Sequence, residues 1–343
     1  MEDKEIALRL KAELICSGVL HIPREISIPF PTSKSSAGPG AGGESIVVCF
    51  SGKRVKVPIS RAKGDLELRA VEDKFEILKD GHAIISGVTL LPTLCHAPGQ
   101  AFVSLGRSCK MKCLFCTINE AGNKTKEITV DDAYRMIIAA SEKEDFQSVA
   151  ITSGIRTTVE EQIEEIAELI SRVREKLPDV SIGAEPLAIE REHVKALKES
   201  GADEIKINLE AANKEIFNKI CPARDYDRAI EAIGWAVEFF GKGHVTSNII
   251  VGLGESDDDV SRSLEMLAKI GSMGNLRALR LNDHNRNRLS HILGNDLGLK
   301  SERMISLARI QNDIFEKYGL SASNLKTMCF PCGCCDLIPG IDI

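Results

Sequence analysis

The sequence predicts an α/β protein built on a partial (β/α)6 barrel, with a small N-terminal β-rich extension and a Cys-rich C-terminal tail. Three observations carry this expectation. From about residue 100, six short apolar runs alternate with amphipathic stretches. Such a rhythm is satisfied by parallel strands joined through right-handed helical crossovers. Before residue 100 the chain has short β-type runs separated by turn residues instead. Near its end, four cysteines fall within seven residues.

Three segments follow. Residues 1–99 are expected to hold a helix, a flexible loop and a small β-rich cap, 100–320 the barrel, and 321–343 the tail. Ile6, Leu8, Leu10, Leu14 and Ile15 among charged residues predict a short helix over 3–16. Residues 32–44 lack apolar periodicity and read as a flexible loop. β-type runs at 46–50, 54–59, 74–78 and 83–88, with turns at Gly52-Lys53 and Asp80-Gly81, predict a small antiparallel sheet. Barrel strands are expected at 101–105, 148–152, 180–184, 204–209, 246–251 and 277–281. Thr129 and Asp132 read as an N-cap and first-turn acid, opening a helix with Ala133, Ile137 and Ala140 on one face. Ile163, Ile166, Leu169, Ile170 and Val173 repeat at helical spacing, and further helices are expected at 190–199, 226–239, 257–270 and 301–318. In barrels of this kind chemistry lies at the C-terminal ends of the strands.

Composition narrows the function classes. A net charge of -6 gives no electrostatic footprint for nucleic acid or an anionic membrane. No apolar run approaches the ~18–20 residues of a spanning helix, and the charged start Met1-Glu2-Asp3-Lys4-Glu5 is unlike a signal peptide. The expectation is a cytoplasmic protein. In a reducing compartment, 11 cysteines point to metal or redox use rather than to structural disulfides.

Just past the first barrel strand stands Cys109-Lys-Met-Lys-Cys113-Leu-Phe115-Cys116. Three thiolates this close can surround one metal centre, and three protein ligands leave a coordination position open, as catalytic sites do. Half of a zinc knuckle completed by a distant ligand fits the spacing as well. The C-x3-C-x2-C spacing, the aromatic before the last cysteine and the position after the first strand closely resemble the signature of the radical SAM superfamily. That resemblance implies a 4Fe–4S cluster on Cys109, Cys113 and Cys116, with S-adenosylmethionine (SAM) on the fourth iron. One-electron cleavage of SAM then yields a 5′-deoxyadenosyl radical, which suits unactivated C–H bonds that acid–base chemistry cannot open.

Other strand ends extend the resemblance, which covers roughly residues 100–285. Thr152-Ser153-Gly154 stands where family members carry a Gly-Gly-Glu-like element for the SAM amino group. Asn208-Leu209-Glu210 resembles the ribose contact of biotin-synthase-like members; the alternative for Glu210 is a solvent-facing acid at a helix N-terminus. The run from Asn248 to Glu255 resembles a G-x-I-x-G-x-x-E element whose apolar face packs on adenine, with Asn248 in place of the first glycine. The implied SAM contacts are Phe115, Thr152, Ser153, Gly154, Asn208, Glu210, Ile250 and Gly252. Glu185, ending the third strand, is either a SAM or substrate contact or the partner of a lysine on the rim. Biotin synthase itself holds a sulfur-donating cluster on barrel-strand cysteines. Here the corresponding residue is Thr246 and the third strand has no cysteine, which disfavours biotin synthesis.

The tail reads Cys329-Phe-Pro-Cys332-Gly-Cys334-Cys335. A zinc knuckle or a redox-labile tail would account for it. The functional expectation is an auxiliary iron–sulfur cluster with Cys95 as an additional ligand. Cys16, Cys49 and Cys221 are expected as packing cysteines. A biotin-synthase-like barrel with extra cysteines outside it resembles the two-component lipoyl synthases, whose subunits each insert one sulfur into an octanoyl chain. The implied partners are an electron donor protein, a second radical SAM subunit and a lipoyl carrier protein. Arg280 and Arg286, after the sixth strand, are expected to bind a carboxylate or an acidic carrier surface, a solvated loop being the alternative. Two other readings stand beside this one: a radical SAM mutase, lyase or cofactor-maturation enzyme without sulfur transfer, and a non-catalytic zinc-binding or assembly protein.

Overall fold

The structure, a computed structural model, describes residues 2–16, 19–34, 43–62, 64–106, 108–122 and 127–343. Residues 35–42 of the expected loop lie outside the described residues. Helix α1 (Glu2–Cys16) opens the chain. Strands β1 (Leu20–His21), β2 (Ser33–Lys34), β3 (Glu44–Phe50), β4 (Lys53–Ser60), β5 (Leu66–Val71), β6 (Lys74–Lys79) and β7 (His82–Leu91) follow. They form one sheet in the order β2-β3-β4-β1-β5-β6-β7, and β3 also pairs with β7. Strands β3 to β7 with β1 therefore close on themselves, and β2 adds a short strand beside β3. The expected antiparallel cap is thus a small barrel, and β1 runs parallel to both neighbours, β4 and β5. Sequence reading passed over β5 because only Leu66 and Leu68 of it face the core. The β3–β4 and β6–β7 turns place Ser51 and Gly52, and Asp80 and Gly81, at positive φ, the geometry that lets a two-residue hairpin match strand twist.

The second sheet is built from β8 (Cys95–Ala97) and β9 (Gln100–Leu105), then five strand–helix units. Helices α2 (Ile118–Gly122) and α3 (Val130–Ser141) precede β10 (Ser148–Ser153), and α4 (Val159–Lys176) precedes β11 (Ser181–Glu185). Next come α5 (Arg191–Glu199), β12 (Glu204–Lys206), α6 (Lys214–Ile220), α7 (Tyr226–Phe240), β13 (Val245–Val251), α8 (Asp257–Ile270) and β14 (Met273–Ala278). Helices α9 (Arg286–Leu293), α10 (Ser301–Tyr318) and α11 (Cys329–Cys332) complete the chain. Strands β9 to β14 lie side by side in chain order, all parallel, and β8 adds an antiparallel strand at the β9 edge. This is the expected six-stranded half-barrel. The helices stop and start on local chemistry: Thr129 and Asp132 form a capping box on α3, Ser256 and Asp259 on α8, and Gly271 ends α8 in the left-handed region. The last strand begins four residues earlier than expected. Its inward positions Asn275 and Arg277 are polar because they face the tail, and that hid it from an apolar-run criterion. No helix among the described residues is long and apolar enough to cross a membrane.

The tail is not an appendage. It crosses the N-terminal ends of the barrel strands. Glu204, first in β12, accepts from the backbone N–H groups of Lys326 (2.8 Å) and Thr327 (2.9 Å) and from the Thr327 hydroxyl (2.6 Å). Gln100, first in β9, exchanges two hydrogen bonds with the Met328 backbone. Gly183 leaves room for this crossing, since a Cβ there would stand 2.2 Å from Thr327 Oγ1. Farther on, Asp342 is buried between Lys11 (2.7 Å) of α1 and Lys53 (2.9 Å) of β4.

Burial opposes the Asp342 charge, but the Lys11 and Lys53 ammoniums outweigh it and hold the carboxyl below its usual range. Its contribution to stability is full above the ordinary pKa of 3.8 and is lost as the pH falls through the lowered value. Asp342→Ala strands Lys11 in the interior and is expected to cost about 3–5 kcal/mol in urea unfolding at neutral pH. The difference from wild type should shrink in acid. A pH-independent difference would show that packing, not charge, anchors the tail.

Candidate active site

Strand β9 delivers the chain to the loop of Cys109, Cys113 and Cys116, all three partly exposed. The loop is held through its backbone. Asn119 both accepts from the Cys109 N–H and donates to the Cys109 carbonyl, at 2.9 Å each. Lys110 N–H donates to the Ile155 carbonyl (2.7 Å) and Leu114 N–H to that of Ile220 (2.8 Å). From α9, Arg288 donates to the carbonyls of Leu114 and Cys116 and pairs with Glu120. Phe115 and Ile250 share a buried apolar cluster against which Cys113 and Cys116 pack. Cys221, expected only as packing, is fully buried but its thiol bonds Cys113. That bond, aided by Arg224, outweighs burial and holds the Cys113 thiol below its ordinary pKa. Three soft thiolates form the donor set that an iron–sulfur cluster takes. Among the described residues, no three His, Cys, Asp or Glu side chains converge on a single-ion position.

The strand-end residues gather beside this loop. Phe115, Thr152, Glu185, Asn208 and Glu210 line one cavity. Thr152 Oγ1 donates to the Glu185 carbonyl (3.3 Å), and the Ser153 hydroxyl is spent on the Leu105 and Gly154 carbonyls. Gly154 lies hard against the loop: a Cβ there would stand 2.5 Å from Ser108 O and 3.1 Å from Cys109 Cβ. Asn208 donates to Glu185 Oε1 (2.8 Å) and accepts from Asn248 N–H (3.1 Å). Glu210 is buried, not solvent-facing, and holds φ at 66°. Burial raises its pKa, while its 2.9 Å ion pair with Arg224 works the other way. Arg224 also donates to the Asn208 carbonyl (2.8 Å), and its buried Nε has no partner. Two carboxylates and an amide in the cavity beside this loop fit a ligand that carries a diol. Ile250 and Gly252 are not among the residues lining the cavity; Gly252 and Leu253 donate their N–H groups to Glu255 instead.

The same cavity, about 290 Å³ and close to the lower size of small-ligand clefts, reaches Cys95 and the tail thiols of Cys329, Cys332, Cys334 and Cys335. Phe102, Val103, Met136, Ala278 and Met328 supply apolar parts of its wall. Cys95 and Met328, next to the thiol group, both hold positive φ at non-glycine positions, the kind of strain that clusters at working sites. Four cations line the chamber. Lys206 pairs with Glu185 (2.9 Å) and donates to Cys329 Sγ (3.4 Å). Burial disfavours its charge, but Cys329 and Glu185 prevail and raise its pKa. Arg277 pairs with Asp336 (3.0 Å) and donates to Cys329 Sγ (3.0 Å). Lys56 and Arg280, among the described residues, have no carboxylate partner; Arg280 donates to the Lys56 carbonyl (3.2 Å) and Lys56 to that of His96 (2.8 Å). Buried cations demand counter-charge, and the nearest candidates are the tail thiols. Burial and the Lys56 charge hold His96 well below its usual pKa, so it is neutral. Arg286 opens α9 with an exposed side chain outside the chamber.

Arg224, Arg288, Lys206, Arg277 and Lys56 escaped the sequence reading. A signal for Lys206 was present. Glu204, Lys206, Asn208 and Glu210 alternate with apolar residues at strand period, and all but half-buried Asn208 are buried. Parallel barrel strands are ordinarily apolar on both faces, so this polar inner face marks a site. Arg288 has no such signal, because its partners lie about 170 residues away. Gly154→Ala is expected to force the Cys109 loop aside at a cost of about 1–3 kcal/mol. Iron retained after anaerobic reconstitution should fall while the circular dichroism spectrum is unchanged; wild-type retention would show that the loop yields freely.

The sequence profile of the radical SAM superfamily matches residues 103–267. Biotin synthase of Persephonella marina is 33% identical over 164 residues, 45% of this chain and 45% of that protein. Lipoyl synthase of Corynebacterium efficiens is 30% identical over 213 residues, 57% of this chain and 58% of that protein. The chain thus spans about half the length of the curated relatives it matches. The X-ray structure of the FeFe-hydrogenase maturase HydG from Carboxydothermus hydrogenoformans superposes with a TM-score of 0.53 at 15% identity, covering 65% of this chain and 52% of that one. With the half-barrel topology and the cysteine loop after its first strand, this match places residues 103–267 in the radical SAM superfamily.

Proposed function

We propose that the protein is a radical SAM enzyme that inserts sulfur into an unactivated C–H bond, with an octanoyl chain on a lipoyl carrier protein as substrate. One observation carries the reading: a single chamber is lined by SAM-type residues at one end and the tail thiols at the other, with apolar side chains also in its wall. When bound, a 4Fe–4S cluster on Cys109, Cys113 and Cys116 with SAM supplies a carbon-centred radical able to take hydrogen from an alkyl chain, and an auxiliary cluster on the tail supplies sulfur.

The chain's own residues bind, orient and keep water out. Glu185 and Asn208 are placed as acceptors and donors for a ribose diol. Phe102, Val103, Met136 and Ala278 suit an alkyl chain. Cys329, Cys332, Cys335 and Cys95 are the proposed auxiliary ligands, with Cys334 beside them. Lys56 and Arg280 supply positive charge that offsets an anionic thiolate centre. Thr246, on the inside of β13, offers no thiol, so sulfur reaches this barrel from below, on the tail. An electron donor protein, a second radical SAM subunit and the carrier protein are the proposed partners. A second reading rests on the same two cations: Lys56 and Arg280 also fit a substrate carboxylate, as a mutase or lyase without sulfur transfer would need.

Anaerobic reconstitution and Mössbauer spectroscopy separate the two. The triple variant Cys109→Ala, Cys113→Ala, Cys116→Ala is expected to keep about four irons on the tail. Wild type given SAM, reductant and an octanoyl-lysine peptide should form 5′-deoxyadenosine and a peptide carrying added sulfur. An iron-free triple variant, or SAM cleavage without a sulfurated product, would remove the sulfur-insertion reading.

A further inference from the structure

Lys206 touches both ends of the chamber. Its side chain is 3% exposed, and its ammonium lies 2.9 Å from Glu185 Oε2 and 3.4 Å from Cys329 Sγ. The other oxygen of Glu185 takes the Asn208 amide at 2.8 Å. One buried cation is therefore shared between an acceptor placed for SAM and a thiol of the tail. A second route closes the ring through different strands. Asn208 Oδ1 accepts from Asn248 N–H, and Asn248 Oδ1 from Asn275 Nδ2 (2.9 Å). Asn275 donates on to Asp336 (3.1 Å), Asp336 pairs with Arg277, and Arg277 donates to Cys329. In a low-dielectric interior such a network responds as a unit, because freeing one member leaves another unsatisfied. Of the two routes, the one through Lys206 is the shorter, and its link to Glu185 is an ion pair.

We propose that Lys206 is a positioning residue that couples the two centres, so that an assembled centre on the tail, through Cys329, holds Glu185 and Asn208 in the arrangement that receives SAM. This rests on the tail being a metal centre, as argued above. With the tail centre absent, Cys329 lacks the thiolate charge that metal ligation enforces, so its 3.4 Å contact holds the ammonium more weakly and Lys206 leans more on Glu185, competing with the ribose for that carboxylate. Coupling between sites is reciprocal, so SAM also retains the tail centre.

The test is a thermodynamic cycle read by binding, not turnover. SAM dissociation constants are measured by anaerobic equilibrium dialysis for protein with both centres. They are measured again for Cys332→Ala/Cys335→Ala protein, which keeps Cys329 and the Cys109 loop, with iron content checked in each. SAM is expected to bind about fivefold or more tightly with the tail centre present. The ratio should fall to near one in the Lys206→Met background and return with Lys206→Arg. A ratio unchanged by Lys206→Met, or a ratio of one in the Lys206 protein, overturns the coupling. A second measurement needs no variant: SAM should slow removal of tail iron by a chelator severalfold, and an unchanged rate counts against the proposal. If the triple cysteine variant holds no iron, the tail-centre reading fails and the coupling with it. If it holds iron and the cycle still fails, only the coupling is lost.

Discussion

The lower half of the barrel depends on the clasp between Glu204 and the backbone of Lys326 and Thr327. A half-barrel is open at its side and at its bottom, and an open bottom would admit water to any charge held inside. Glu204 spends its whole carboxylate on three donors of the tail, and Gly183 gives up a side chain so that Thr327 can pass. With that crossing in place, Lys206 and Lys56 are buried and Arg277 and Arg280 half-buried, and their interactions gain the strength that a lowered dielectric confers. Without it the tail cysteines would be a solvated peptide.

The architecture was legible where local chemistry and packing agree. Helix α4 repeats its apolar positions at helical spacing and ends its exposed face in charge, and α8 is bounded by Ser256 and Gly271, so both could be read residue by residue. The six-strand order follows from alternation alone. The cysteine loop was legible because its three cysteines are close in sequence. What could not be read is what depends on distant pairing: the closure of the N-terminal sheet through β3 and β7, the sharing of β8 with the barrel sheet, and the tail's descent into the barrel. The β14 error has the same root, since Asn275 and Arg277 are polar for the sake of a segment some sixty residues later.

The candidate site divides in the same way. Thr152, Glu185, Asn208 and Glu210 are at strand ends and were found by position. The cations around Cys329 come from four places in the chain, Lys56, Lys206, Arg277 and Arg280, and only the assembled chamber shows that they face the same sulfurs. Cys221 is a smaller case: sequence isolation suggested packing, and the fold sets it against Cys113.

The pair between Lys11 and Asp342 joins residues 331 apart. Contacts so distant in sequence form late, because a long loop must close before they repay its entropy. During synthesis the half-barrel can assemble its strands while its floor is still missing. The lower end of the chamber then stays open until the residues after β14 have been added. Assembly of the strands and sealing of the chamber are thereby separated in time, with the sealing step the later of the two.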